Sequence, residues 1–149
     1  MCKHFKTYEF LPKRIYELYN DDRGLRHINP KIPLIMDYLR EELGARITIN
    51  DWYWGGDFQQ RGRRTIESDV YKELSDHSDG NAVDFHVEGK TANEVRERIL
   101  GDLCEDLKVL GVTAIEDEHY APTWVHISVA DFSKWNYLPQ VNGIKILKP

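Results

Sequence analysis

The sequence SDHSDGNAVDFHV occupies residues 75–87 and joins a glycine-containing turn to a strand of alternating polarity. The valine and phenylalanine side chains of that strand fall on one face, which leaves Asp84 and His86 together on the other. His77 precedes Asp84 by seven residues. Gly80 lies between them and lets the chain turn tightly, so both side chains can reach one metal ion.

A second stretch, WVHISV at residues 124–129, alternates in the same way and presents His126 on its polar face. If this strand is a neighbour of the first, Asp84 and His126 point into the same space. With His77 they form the set of three protein ligands that a catalytic zinc ion needs, the fourth position staying open for water. The sequence therefore predicts a metal site at His77, Asp84 and His126.

The rest of the chain predicts an α+β fold, with a small antiparallel sheet backed by helices in a single domain over residues 1–149. A capping box opens one helix at Thr91, and Gly111 ends it after a stripe of buried aliphatic positions. Residues 51–78 show no sustained period and predict a long functional loop. Other helices are predicted over 13–20 and 34–43, and strands over 46–50, 83–87, 112–115, 124–129 and 143–147.

Composition excludes several classes of protein. The 149 residues carry 20 Lys and Arg against 25 Asp and Glu, a net charge of −5, which argues against a nucleic-acid partner. No apolar run approaches the ~20 residues of a membrane span, and the first ten residues lack a signal-peptide core. Cys2 and Cys104 are too few for a cysteine-rich zinc site. We expect synthesis in the cytoplasm without a signal peptide, and a monomer.

Residues 75–84 match S-x-H-x-x-G-x-A-x-D at every fixed position. Together with Trp124-Val-His126, this resembles the D-Ala-D-Ala carboxypeptidase-like zinc peptidases. That family includes phage L-alanyl-D-glutamate endolysins and shares its metal-site fold with the Hedgehog signalling domain. The segment from Gly55 to Arg64 resembles the arginine-bearing loop that precedes the first zinc ligand in the family. The resemblance is strongest over residues 50–129 and implies a Hedgehog/DD-peptidase-like fold.

The resemblance implies a peptidase that holds one Zn2+ per chain and cleaves peptidoglycan stem peptides through a zinc-activated water. The activity would be that of a D-Ala-D-Ala carboxypeptidase or an L-Ala-D-Glu endopeptidase. A phage or prophage cell-wall hydrolase of this kind reaches the wall after release or as part of a virion. The resemblance assigns the metal to His77, Asp84 and His126. It also assigns substrate and oxyanion binding to Arg61 or Arg64, and the general base to Glu116.

Two positions depart from the family pattern. Many relatives carry Asp two residues after the last histidine ligand, where this chain has Ser128. Others place the catalytic Glu three residues before that histidine, where this chain has Thr123. The second departure leaves Glu116, Asp117 and Glu118 all open as the base.

Two alternative functions stay open at this point. One is a non-catalytic zinc-binding module of the Hedgehog-like type, which would keep the metal, lack the base and act by binding. The other is a metal-dependent hydrolase with a different substrate. A carboxylate that reaches the metal-bound water distinguishes the peptidase from the binding module.

Overall fold

A computed structural model describes residues 2–19, 22–131 and 143–147 and confirms the α+β class. Within those residues the helices are α1 (Thr7–Phe10), α2 (Lys13–Tyr19), α3 (Lys31–Leu43), α4 (Ala92–Leu100) and α5 (Cys104–Leu110). The strands are β1 (Ile47–Thr48), β2 (Ala82–Val87), β3 (Ala114–Glu116), β4 (Val125–Ser128) and β5 (Ile144–Ile146). They form one antiparallel sheet in the order β1-β2-β4-β3-β5.

The two strands of alternating polarity are neighbours at the middle of this sheet. β2 pairs with β4 in a register that sets Asp84 directly opposite His126. Side chains that alternate along paired strands share a face when their Cα atoms are partners. The sequence prediction that these two residues look into the same space is therefore confirmed.

The other face of the sheet packs on the helices and forms a hydrophobic core. The stripe predicted for the helix that opens at Thr91 is buried throughout, although the helix itself is interrupted. The described part of the chain contains no helix long and apolar enough to cross a bilayer. The largest completely buried side chains of the core are Phe10, Phe85, Leu11, Ile32, Ile35, Met36, Leu39, Ile47, Ile49, Ile99, Leu107 and Ile115.

The predicted single helix between Thr91 and Gly111 is wrong, because the structure has two. The capping box at Thr91 is present, with its side chain accepting a hydrogen bond from the Glu94 backbone. The backbone then leaves the helical region at Gly101, with φ −98° and ψ −110°, and α5 begins only at Cys104. A glycine inside a helix costs about 1 kcal/mol relative to alanine, so the chain breaks there at little expense.

The remaining boundaries differ from the predictions by a few residues. α3 begins at Lys31 instead of 34, since Pro33 lies in its first turn, where the missing N–H has no intrahelical acceptor to lose. β1 keeps only two of the residues predicted over 46–50. The helix predicted over 13–20 is confirmed through Tyr19, and residue 20 lies outside the described residues. The strand predicted over 143–147 is confirmed as β5 at the edge of the sheet.

The long segment between β1 and β2 is irregular, as predicted, yet backbone hydrogen bonds fix it against the sheet. Arg63 donates its N–H to the carbonyl of Phe10 at 2.9 Å, and Asp84 donates to the carbonyl of Arg61 at 2.7 Å. Gly62 lies so close to Phe10 that any side chain would collide with the Phe10 carbonyl. These contacts place the segment over the polar face of the sheet.

Candidate metal centre

Three ligand atoms converge on the polar face of the sheet. His77 Nε2 lies 3.2 Å from Asp84 Oδ2 and 3.2 Å from His126 Nδ1. His126 Nδ1 lies 2.7 Å from Asp84 Oδ1. Tetrahedral zinc with bonds of about 2.0–2.2 Å sets its ligand atoms about 3.3–3.6 Å apart. One ligand atom from each of the three residues lies within 4.8 Å of the other two, so the three residues fit a metal after a modest shift. In the part of the chain that the structure describes, this is the group able to hold a metal ion.

Each ligand lies on the strand or turn that the sequence predicts for it. Asp84 and His126 come from the facing positions of β2 and β4. His77 comes from the turn before β2, where Gly80 adopts φ +73°. A Cβ atom on Gly80 would also collide with the backbone oxygen of His27. This position requires glycine both for its backbone conformation and for lack of space.

A backbone carbonyl of the arginine loop orients the first histidine. His77 Nδ1 lies 2.9 Å from the carbonyl oxygen of Gly62. A carbonyl can only accept, so Nδ1 carries a proton, and Nε2 is the ring nitrogen that faces Asp84 and His126. Metal-binding histidines are usually held in this way through the nitrogen that does not bind the ion. No sequence pattern identified Gly62 as part of the site.

The carboxylate at the centre of the cluster is ionised. Burial alone raises the pKa of Asp84, but the charges and hydrogen bonds of His77 and His126 outweigh burial and hold that pKa well below its ordinary range. For His126, burial lowers the pKa, and the hydrogen bond to Asp84 outweighs it and raises the pKa. A metal ion must therefore displace the proton that Asp84 favours on His126.

A hydrogen bond outside the ligand set joins the two segments that carry the histidines. The hydroxyl of Ser128 donates to Asp76 Oδ2 at 2.6 Å and accepts from the backbone N–H of Ala130 at 3.1 Å. Ser128 is 1% exposed. Asp76 directly precedes His77 in the turn. Ser128 follows His126 by two residues and therefore lies on the same face of β4. Ser128, the first departure from the family pattern, thus has a carboxylate partner on the adjacent segment.

The structure brings both predicted arginines to the cluster. Arg64 Nη2 lies 3.4 Å from Asp84 Oδ2. Arg61 Nη1 lies 2.5 Å from His86 Nδ1. Burial lowers the pKa of both guanidinium groups, and the nearby Asp84 opposes that effect. Both groups stay positively charged because the ordinary pKa of arginine is above about 12.

A groove of about 510 Å³ opens beside the cluster. Its lining includes Asp84, both arginines, the Phe58 ring and Trp124. The lining also contains three further carboxylates, so the groove sets two cationic side chains among acidic ones directly next to a metal-ligand candidate; these carboxylates are Asp57, Glu67 and Asp69. Within this mixed lining, the two guanidinium groups are the ones able to bind a carboxylate of a ligand.

The three candidates for the base occupy different environments. β3 pairs with β4 so that Ile115 faces Ile127, and extending this register by one residue sets Glu116 opposite His126. The charge of Glu116 accordingly raises the pKa of His126. Asp117 accepts a hydrogen bond from the backbone of the turn that follows, and Glu118 accepts one from a side chain of α4 at 2.7 Å. Of the three, Glu116 lies in the strand row that carries the metal ligands.

His86, the other polar residue of β2, lies outside the ligand cluster in the described structure. Burial and the charge of Arg61 lower its pKa. Its contact is with Arg61, which the sequence did not predict.

No family model matches this chain, and neither does any curated protein or solved structure. The resemblance drawn from the motifs therefore stays a prediction.

Proposed function

We propose that this chain is a zinc-dependent peptidase that cleaves peptidoglycan stem peptides, as a D-Ala-D-Ala carboxypeptidase or an L-Ala-D-Glu endopeptidase. The observation that carries the proposal is the convergence of His77, Asp84 and His126 at distances of 2.7–3.2 Å beside a groove lined by two arginines. The peptidoglycan substrate is what the motif resemblance implies. The same resemblance implies action on the cell wall after release from the cell or as part of a virion.

The donor set fits zinc in a catalytic site better than in a structural one. Structural zinc sites are closed by four protein ligands, usually with cysteines, whereas catalytic sites use three ligands such as histidine and carboxylate. When bound, zinc would polarise the scissile carbonyl and make water acidic enough to ionise near pH 7. Asp84 belongs both to the cluster and to the groove lining, so a bound ion would lie next to the groove.

The two arginines would have different tasks in this reaction. Arg64 is an ion-pair partner of Asp84, so its guanidinium lies near the reacting carbonyl and stabilises the negative charge that develops on oxygen. Arg61 forms no ion pair with a carboxylate among the residues that the structure describes. Its charge is therefore available for a carboxylate of the substrate, and stem peptides carry such groups.

Glu116 would handle the proton. Its position opposite His126 lets its carboxylate take a proton from the attacking water and pass it to the leaving amine. Asp117 and Glu118 already accept hydrogen bonds from the turn and from α4.

A digest of purified peptidoglycan tests the proposal. We expect the zinc-loaded chain to release D-alanine or to cut stem peptides, with the cleaved bond read by mass spectrometry. A chelator should abolish the release, and added zinc should restore it. The Asp84→Ala variant is the matched control for contaminating hydrolases, since it changes a ligand and leaves the rest of the chain intact.

One outcome would replace this function by another. If the wild-type chain holds one zinc ion but cuts no peptidoglycan fragment under any of these conditions, the non-catalytic zinc-binding module becomes the correct interpretation. Failure to hold zinc at all would contradict both.

A further inference from the structure

His86 lies on the same face of β2 as Asp84 but makes a different set of contacts. Its Nδ1 lies 2.5 Å from Arg61 Nη1. The centroid of its ring also lies 5.6 Å from that of Phe58, another residue of the groove lining. One imidazole thus contacts two residues of the arginine loop, Phe58 and Arg61.

These contacts define which nitrogen of His86 carries the proton. A guanidinium has N–H donors and no acceptor, so the Nδ1 atom that meets Arg61 must be unprotonated. In a neutral ring the proton is then on Nε2. His86 is consequently an acceptor for Arg61, and it is not available to hold a metal through that atom.

Arg61 is fixed on several sides. The guanidinium carbon lies 3.4 Å from the centroid of the Phe58 ring, a cation–π contact, and the Phe58 and His86 rings lie 5.6 Å apart. The backbone N–H of Arg61 donates to Asn50 Oδ1 at 3.0 Å, and its carbonyl accepts from Asp84. A guanidinium carries five N–H donors, and the contact with His86 uses one of them. The remaining donors are left in the groove that Arg61 lines.

We propose that His86 is a positioning residue that holds the Arg61 guanidinium, through the Nη1–Nδ1 hydrogen bond, in the orientation that receives a carboxylate of the substrate. This inference rests on the proposed function, since it assigns the substrate carboxylate to Arg61. It predicts that losing the acceptor weakens substrate binding without changing the metal site or the chemical step.

Kinetics of the zinc-loaded full chain test this role with the pentapeptide L-Ala-γ-D-Glu-L-Lys-D-Ala-D-Ala as the probe. His86→Ala should raise KM by about 10-fold or more, the scale of one hydrogen bond to a charged group, with a much smaller change in kcat. His86→Asn retains an acceptor oxygen near the Nδ1 position and should restore KM close to the wild-type value. Zinc content should be the same in all three proteins. A wild-type KM in His86→Ala, or equal losses in Ala and Asn variants, would overturn the proposal.

A double-mutant cycle shows whether His86 acts through Arg61. If it does, adding His86→Ala to Arg61→Ala should cause no further rise in KM. Independent losses that multiply would show that His86 contributes in another way, and would overturn the proposal. Arg63→Ala combined with His86→Ala is the matched control, and there the His86 effect should persist in full.

The third measurement does not depend on hydrolysis and separates this inference from the proposed function. Nitrogen NMR of the wild-type chain should show His86 with an unprotonated Nδ1 and a protonated Nε2, and Arg61→Ala should abolish that fixed tautomer. If the wild-type chain cleaves nothing, the proposed function fails and this spectrum still decides the link between His86 and Arg61. A proton on Nδ1, or a spectrum that Arg61→Ala leaves unchanged, overturns the inference.

Discussion

The two faces of strands β2 and β4 are both buried, but by different means. On one face Phe85 and Ile127 are 0% and 1% exposed and belong to the apolar core that packs against the helices. On the other face Asp84 and Ser128 are 8% and 1% exposed beneath the irregular arginine loop. Burial of apolar surface stabilises the packing of the first face, whereas hydrogen bonds and ion pairs stabilise that of the second.

This difference determines what a substitution does on each face. An apolar side chain can be replaced at a cost that depends on the cavity left behind. A buried polar group that loses its partner leaves that partner unsatisfied at a cost of about 1–3 kcal/mol, and more if it is charged. Asp84 contacts His77, His126 and Arg64 at once. A substitution on the polar face therefore affects several residues of the site at once. It can abolish metal binding and activity while the chain stays folded.

The largest effect is expected from removing a ligand on the polar face. His77→Ala should reduce bound zinc from about one per chain to a small fraction. Hydrolysis should fall by at least ~10³-fold, since the ion supplies several kcal/mol of transition-state stabilisation. Metal analysis after dialysis, together with the peptidoglycan digest, measures both. Ser78→Ala, a change at the adjacent buried residue, should keep its zinc. Full occupancy in His77→Ala would contradict the site.

The matching change on the apolar face should affect stability and not the metal. Phe85→Ala removes a fully buried ring from the core face of β2 and should lower the free energy of unfolding by about 3–5 kcal/mol. Urea denaturation measures this loss. Zinc per folded chain should stay near that of the wild type at low temperature. If Phe85→Ala loses its zinc while keeping its stability, the two faces are not separable in the way described.

The same contrast explains how much of the site could be predicted from the sequence. Alternation within β2 and β4 predicts that Asp84 and His126 share a face, because the period of a strand is a local property. The turn signature adds His77, and the structure brings all three residues together. The register that makes Asp84 and His126 direct partners follows only from tertiary pairing.

The supporting hydrogen bonds could not be predicted, because they come from a loop without a period. Ser128 and Asp76 are 52 residues apart in sequence, and His77 and Gly62 are 15 apart. Nothing local links either pair, and the contacts depend on how the segment between β1 and β2 folds over the sheet. The break at Gly101 was missed for the opposite reason: the apolar stripe continues through it, so the pattern of buried residues does not show the interruption.

A smaller effect is expected from the carboxylate opposite His126. Glu116→Gln keeps the size of the side chain but cannot accept a proton at neutral pH, so hydrolysis should fall by about 10²-fold or more while zinc is retained. Asp117→Asn and Glu118→Gln are matched controls and should each stay near wild-type activity. Steady-state rates and metal analysis of the three variants decide between the candidates. Wild-type activity in Glu116→Gln would transfer the role to Asp117 or Glu118.

The smallest effect should come from the hydrogen bond that ties the two histidine-bearing segments together. Ser128→Ala leaves every ligand in place but removes the donor to Asp76, so zinc affinity should fall by about 10-fold, at the lower end of the range for groups that orient ligands. Competition with a chelating dye measures the affinity. Ser78→Ala removes another buried hydroxyl, one whose partner is the backbone of Lys72, and should leave the affinity unchanged. Equal affinities in Ser128→Ala and wild type would show that the backbone alone positions the ligands on the polar face.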